Sequence, residues 1–445
     1  MDQKSEANQS TGSDKTFKEK DMKTFSLNYA KRDRWDIGDK ARILKKKAVV
    51  SLAVLGIAAL SSLGNTYAAD PIAVSTGLGV KATLYGFAEF DGIYTDNRTA
   101  ANNYTLYALD QSVVPKNDSE TRLTASATRL GLNFSGPEGA SAQAAGKVEV
   151  DFFGSGTEVA AGFRLRQAYA SVAFPDKGFT LLAGQTWDVI APLNPPTLDA
   201  GILFYSGNLG ARRPQLRLTE SQVIEGAKFE LAAAALRDVG TAGQGTNPSQ
   251  TDTGRSANAP AGQVRLGVAI PVGLGKQTLN LGIGGLYGIN QVFAATGDTS
   301  INLDSKAIAA DLEAPFANQA SVAGEIYQGA NLGNYSGTIG ENVLANATLS
   351  KYSTYKGWGG WAALRLKPSA VWLANLGFGV DQVTNKTGLP TTAQTRNDTV
   401  FANVAYLVTP VTKIGLEYGH TETTYAHTDG KSSLNRGQLS VVYSF

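Results

Sequence analysis

Gln143-Ala144-Ala145-Gly146-Lys147-Val148-Glu149-Val150-Asp151-Phe152 separates its carbons from its charges with a period of two. Ala144, Gly146, Val148, Val150 and Phe152 fall on one face, and Lys147, Glu149 and Asp151 on the other. Successive side chains of a strand point to opposite sides of a sheet, so the segment predicts a strand with one apolar and one charged face. A soluble sandwich produces such alternation too. What decides for a membrane barrel is how often the pattern recurs and what lies between its repeats.

It recurs in Val264, Leu266, Val268 and Ile270 against Arg265, and in Leu279, Leu281, Ile283, Tyr287 and Ile289 against Asn280 and Asn290. Trp372, Ala374, Leu376, Phe378 and Val380 make another apolar row. Pro137, Pro175, Pro271, Pro315, Pro368 and Pro410 mark tight connections, where a missing amide donor costs nothing, and a seventh turn without proline is expected near Glu220. Between them lie long polar stretches, roughly 96–120, 154–162, 190–211, 237–262, 294–303, 333–356, 384–396 and 425–434. Short turns at one end and long loops at the other are the asymmetry of outer-membrane barrels. The marks give eight hairpins, hence an all-β, antiparallel up-and-down transmembrane barrel of about 16 strands over residues 81–445, with 14 and 18 as the neighbouring even counts.

Composition agrees. Only 18% of the chain is charged and it has 49 glycines. The absence of cysteine removes disulfides, thiolate metal sites and thiol nucleophiles, and two histidines leave little for imidazole sites, so no metal or cofactor is expected. A formal charge of +2 gives no footprint for nucleic acid. Residues 1–68 hold 13 basic and 8 acidic side chains, so the remainder carries −3.

Those first residues read as a leader. Lys45-Lys46-Lys47 precedes an uncharged run of 16 residues, Ala48 to Leu63, then Thr66-Tyr67-Ala68-Ala69. A basic start, a short apolar run and small residues before the cleavage point predict a signal peptide over 45–68. A spanning helix needs ~20 residues, which makes a membrane anchor the poorer reading. Residues 1–44 are assigned to a disordered extension or over-long gene start, and 69–80 to a short periplasmic segment.

Charged groups on a lipid face cost ~2–4 kcal/mol at the midplane, which fixes the direction of the arginines. Pro214, Leu216 and Leu218 take the outer face of the sixth strand and force Arg213 and Arg217 inward; Arg129, Arg164, Arg166 and Arg265 fall on other inferred lumenal faces. Such a row would attract small anionic solutes, unless each arginine pairs with an acid such as Glu149, Asp151, Asp188 or Asp199. The fifth strand, 179–188, leads into a loop containing Asp188, Asn194, Asp199 and, unusually for a solvated loop, Ile202-Leu203-Phe204-Tyr205. An inward fold that narrows the barrel would bury these carbons; packing on the rim or a neighbouring subunit is the alternative. The chain closes on Leu439, Val441, Tyr443 and Phe445 alternating with Gln438, Ser440 and Ser444, similar to the C-terminal signal read by barrel-assembly machinery.

Arg164-Leu165-Arg166-Gln167-Ala168-Tyr169, Gly184-Gln185-Thr186-Trp187 and Arg213-Pro214-Gln215-Leu216-Arg217, in that order, resemble the DcaP-like family of trimeric Gram-negative outer-membrane porins, most densely over 120–220. The resemblance implies a homotrimer of 16-stranded channels in outer-membrane lipid and lipopolysaccharide. It also implies uptake of small anions, dicarboxylates included, through a constriction lined by Arg129, Arg164, Arg166, Arg213 and Arg217. Two departures are Gln167, where members often have His, and the dozen residues between Ala69 and the first strand, too few for the coiled coil of some members.

The expected function is therefore passive diffusion, without catalysis. A lipid hydrolase would have to use His420 or His427, and a structural or adhesive barrel would have a plugged lumen. The glycines of 282–288 fall within a strand pattern and open no helix, so close packing explains them better than a nucleotide loop.

Overall fold

The computed structural model describes residues 73–75, 79–101, 103–112, 118–137, 141–155, 161–237, 257–275, 277–293, 300–341, 343–346, 351–427 and 430–445. The expected extension, the signal peptide and most of 69–80 lie outside them.

The chain forms a closed antiparallel barrel of 16 strands. In chain order these are β1 (Lys81–Thr95), β2 (Glu120–Thr124 and Arg129–Ser135), β3 (Gln143–Asp151), β4 (Arg164–Phe174), β5 (Phe179–Trp187), β6 (Arg212–Ile224), β7 (Ala227–Leu236) and β8 (Ala261–Pro271). The second half comprises β9 (Thr278–Phe293), β10 (Ser300–Ala317), β11 (Ala320–Ala330), β12 (Lys356–Leu366), β13 (Trp372–Val383), β14 (Gln394–Thr409), β15 (Thr412–Tyr425) and β16 (Lys431–Ser444). Each strand pairs with the next, and β16 returns to β1 from Phe87↔Ser444 to Thr95↔Arg436. Gly86 and Phe445 exchange both backbone hydrogen bonds at 3.1 Å, extending that seam by one more pair.

The barrel is inside out relative to a soluble sheet. On β3, Val148 is 42% exposed while Glu149 and Asp151 are 3% and 1% exposed. Leu216 and Leu218 on β6, Leu281 and Ile283 on β9, and Leu376 and Phe378 on β13 are likewise exposed. Only a hydrocarbon surround makes that arrangement favourable, because it removes the carbons from water and keeps the polar row off the lipid.

Three details differ from the sequence reading. Pro315 lies in β10 at a register shift and not in a turn, since a bulge tolerates its missing amide. The β6–β7 turn is Glu225-Gly226, both with positive φ (50° and 84°), so Glu220 remains within the strand. Strand β2 is interrupted at 125–128, where the Thr128 hydroxyl accepts from the Glu89 amide (3.0 Å) and donates to the Glu89 carbonyl (3.3 Å), replacing the lost ladder bonds.

The packed core joins strand residues to residues of the loops. Ile190 and Leu209 cluster with Leu286, Tyr327, Leu332 and Tyr335; Leu203 packs with Trp361 and Phe401; Ile339, Tyr355 and Val383 form a third group against Tyr107 and Tyr205. Tyr443 and Phe445 are 52% and 41% exposed on the outer face beside the seam. Replacing both by Ser should remove about 3 kcal/mol or more of lipid burial and deplete heat-modifiable, trypsin-resistant barrel in outer membranes. Normal amounts of such protein would show that this aromatic row does not drive assembly.

Candidate functional site

A cavity of about 230 Å³ lies between the β1–β6 wall and residues 197–204. Arg129, Arg164, Arg166, Arg212 and Lys413 line it, with the carboxylates Glu89, Asp151 and Asp199. Three of these cations are among those expected.

Their placement follows from the strands. Arg164 donates twice to Asp151, from Nε at 2.9 Å and Nη2 at 2.7 Å. Arg166 reaches Glu149 and Asp151, each at 2.8 Å. The β3–β4 register slips between Glu149 and Val150, which is why the period of β4 drifts after Arg164 and why Arg166 and Gln167 both reach Glu149. Arg129 stands 3.8 Å from Glu149 and stacks on Phe87, 5.1 Å from guanidinium carbon to ring centroid.

The other expected arginines lie elsewhere. Arg213 is 1% exposed, faces Asp188 at 3.1 Å, donates to the Asn334 carbonyl at 2.8 Å and covers the Tyr335 ring at 3.9 Å. It points inward as expected but is sealed where two loops meet. Arg217 donates to Gln215 at 2.9 Å and to the Trp187 carbonyl. Arg265 pairs with Asp311 through two bonds of 2.8 and 2.7 Å. None of the three lines the cavity.

Arg212 and Lys413 were missed by the sequence reading. Arg212 opens β6, where no neighbouring lipid-facing row yet fixes the alternation, and it stacks on Trp187 at 4.6 Å. Lys413 follows the turn at Pro410. Among the described residues, no carboxylate lies within 4.0 Å of either cation.

Residues 188–211 run from β5 to β6 and are hydrogen-bonded to a succession of strands. Gln263 on β8 accepts from the Val189 and Ile190 amides at 2.6 and 3.2 Å. Glu325 on β11 accepts from the Leu193 amide (2.7 Å) and Trp361 Nε1 (3.1 Å), and Arg365 on β12 donates to the Asn194 carbonyl (3.0 Å). Asn403 on β14 holds the Pro196 carbonyl at 2.7 Å, and Glu417 on β15 accepts from the Leu198 and Asp199 amides at 2.6 and 2.9 Å. Asp199 also faces Arg436 on β16 at 3.4 Å. Asp188 pins the base by accepting from the Ala211 amide at 2.9 Å. Tyr205 packs against Tyr107 with the rings tilted at 31°, and burial raises its hydroxyl to about 12.

Glycines on the strands make room for this segment. A Cβ at Gly379 would stand 1.9 Å from the Ser206 carbonyl oxygen, and one at Gly284 2.6 Å from that of Ile190. The glycine run of β9 thus clears space for loop backbone as well as for strand packing. Ile202, Leu203 and Tyr205 adopt φ of 41°, 57° and 62°, a conformation that is costly for branched side chains and persists only where the surroundings hold it.

Of the two histidines, His420 contacts Asn435 at 3.0 Å, and His427 contacts Asp110 at 2.8 Å. Burial raises the Asp110 carboxyl, but the Ser112 amide and hydroxyl and His427 outweigh it and leave it below the ordinary value. Among the described residues no cluster of three or more His, Asp or Glu has the geometry of a metal site.

No protein-family model matches the sequence, and no curated protein matches it significantly. Solved structures do match in fold. The outer-membrane channel DcaP of Acinetobacter baumannii aligns with a TM-score of 0.67 at 19% identity, covering 84% of this chain and 99% of that one. An anion-selective porin from Comamonas acidovorans aligns at 0.51 and 14% identity (82% and 100% covered), and Salmonella typhi OmpF at 0.51 and 12% (84% and 100%). The likeness to DcaP read from residues 164–217 extends to the barrel as a whole, and the chain has the fold of the Gram-negative outer-membrane porins.

Proposed function

We propose that the protein is a passive outer-membrane diffusion channel for small hydrophilic solutes that prefers anions, dicarboxylates among them. The observation that carries this reading is the cavity, where five cationic side chains meet three carboxylates. Residues 188–211 act as the constricting third loop, and the cavity is the passage they leave. Asp151 and Glu149 hold Arg164 and Arg166 in place and offset part of their charge, so the excess positive field comes chiefly from Arg212 and Lys413. In a narrow, low-dielectric path such an excess outweighs the −3 of the exported chain, which is spread over loops and rims. Guanidinium groups offer paired donors to a carboxylate, and several in succession let the ion move on. The anion-selective porin among the similar folds supports the reading. Assembly as a homotrimer, contact with lipopolysaccharide, and recognition of the β16 aromatic row by barrel-assembly machinery belong to the same proposal.

The test is the reversal potential of the purified protein in a potassium chloride gradient across a planar bilayer. Wild type should favour chloride, and Arg212→Gln with Lys413→Gln should abolish most of that preference. Cation preference in the wild type would overturn the reading.

A further inference from the structure

We infer that the cavity selects aryl carboxylates over aliphatic carboxylates of the same charge. The inference rests on the anion-channel reading and deepens it. The cations of the cavity come from the barrel strands, and most of its aliphatic carbons come from the loop. Arg129, Arg164, Arg166 and Arg212 project from the barrel, while the loop presents Leu198, Ile202 and Phe204. Leu203 turns away from the cavity into the Trp361–Phe401 cluster, so the positive φ values at 202 and 203 hold Ile202 and Phe204 on the cavity side. Asp199, the one charge on that stretch of loop, is occupied by the Thr105 amide (3.1 Å), the Gly201 amide (2.8 Å) and Arg436 (3.4 Å).

The cationic wall is itself faced with rings. Arg129 lies 5.1 Å from the Phe87 centroid, Arg164 5.0 Å from Phe153 and Arg212 4.6 Å from Trp187. Tyr104 packs edge-on against Phe153 at 5.6 Å. A guanidinium stacked on one face keeps its in-plane donors; those of Arg164 serve Asp151, which leaves Arg129 and Arg212 to meet a solute carboxylate. Rings at the sides of the space offer edge and face contacts to an aromatic solute. A small aliphatic dianion uses the cations but leaves the apolar wall facing its water shell. A benzoate-like ion fills both. Size agrees: an apolar cavity of ~150 Å³ accepts one benzene, and about 230 Å³ leaves room for a ring and its carboxylate.

The experiment compares benzoate with propionate, both monoanions, as blockers of chloride current through the purified protein in a planar bilayer, with reversal potential measured on the same membranes. Benzoate should block at about tenfold lower concentration, the scale of one well-placed aromatic contact with its apolar burial. Ile202→Ser with Phe204→Ser should bring the two blockers within about twofold, and Phe204→Leu should retain most of the difference. Equal block of an anion-selective wild type would overturn the inference alone, and needs no variant to fold. An unchanged ratio in the double variant would overturn the assignment to the loop wall. Cation preference in the wild type would overturn the channel reading and this inference with it.

Discussion

Gly379→Val should leave the barrel folded and raise its single-channel conductance severalfold. The Cβ of residue 379 would stand 1.9 Å from the Ser206 carbonyl oxygen, and Gly207 already runs so close to the wall that a Cβ there would stand 2.1 Å from the Gly360 carbonyl, so the segment can move only away from the strands. Backbone meets backbone, so one must move. Strand β13 is laddered to β12 and β14 over most of its length, whereas residues 205–206 are held locally by Asn397 on the Tyr205 carbonyl (2.8 Å) and by Thr399 on the Ser206 hydroxyl (2.9 Å). The loop therefore yields. Overpacking of this kind costs ~1–3 kcal/mol, which a closed barrel tolerates. Planar-bilayer recording, with proteolysis within 188–211 as a second readout, checks the outcome. Unchanged conductance and unchanged protease resistance would show that the loop neither yields at this glycine nor narrows the path.

Asp151→Asn should weaken the barrel and sharpen its preference for anions together. Asp151 is 1% exposed and binds Arg164 and Arg166 at 2.7 and 2.8 Å. Removing one partner of a buried ion pair costs ~3–5 kcal/mol, and the lower end applies because the Arg164 side chain is 35% exposed and partly screened. The urea midpoint of the refolded protein should fall accordingly. Protein that remains folded has lost a negative charge from the cavity wall, so its reversal potential should move toward chloride. A lower midpoint with no change in selectivity would mean that Asp151 acts as scaffold only.

The barrel was legible because lipid enforces a simple rule on every strand. Val148 against Glu149, and Leu216 against Arg217, take opposite faces in the structure as in the sequence. The apolar run 202–205 announced a loop with something to pack against for the same reason. Pairing was not legible. Nothing in the order of residues distinguishes Arg166, at the edge of open space, from Arg213, sealed beneath Tyr335, since both sit on inward faces and differ only in which loop arrives above them. Arg212 escaped notice because alternation loses its force at the first residue of a strand. The break in β2 escaped because Ala125 to Thr128 contain neither Pro nor Gly, and one hydroxyl restores what the ladder lost.

The path of residues 188–211 has a mechanical consequence. Bonds to Gln263, Glu325, Arg365, Asn403, Glu417 and Arg436 attach one short stretch of chain to β8, β11, β12, β14, β15 and β16. As the constricting loop proposed above, the segment braces the wall at each of these strands, much as a diaphragm stiffens a thin tube. The passage proposed beside it then keeps its cross-section as lipid composition or tension changes. On the channel reading, sieving is then set by fixed geometry and not by the breathing of the wall.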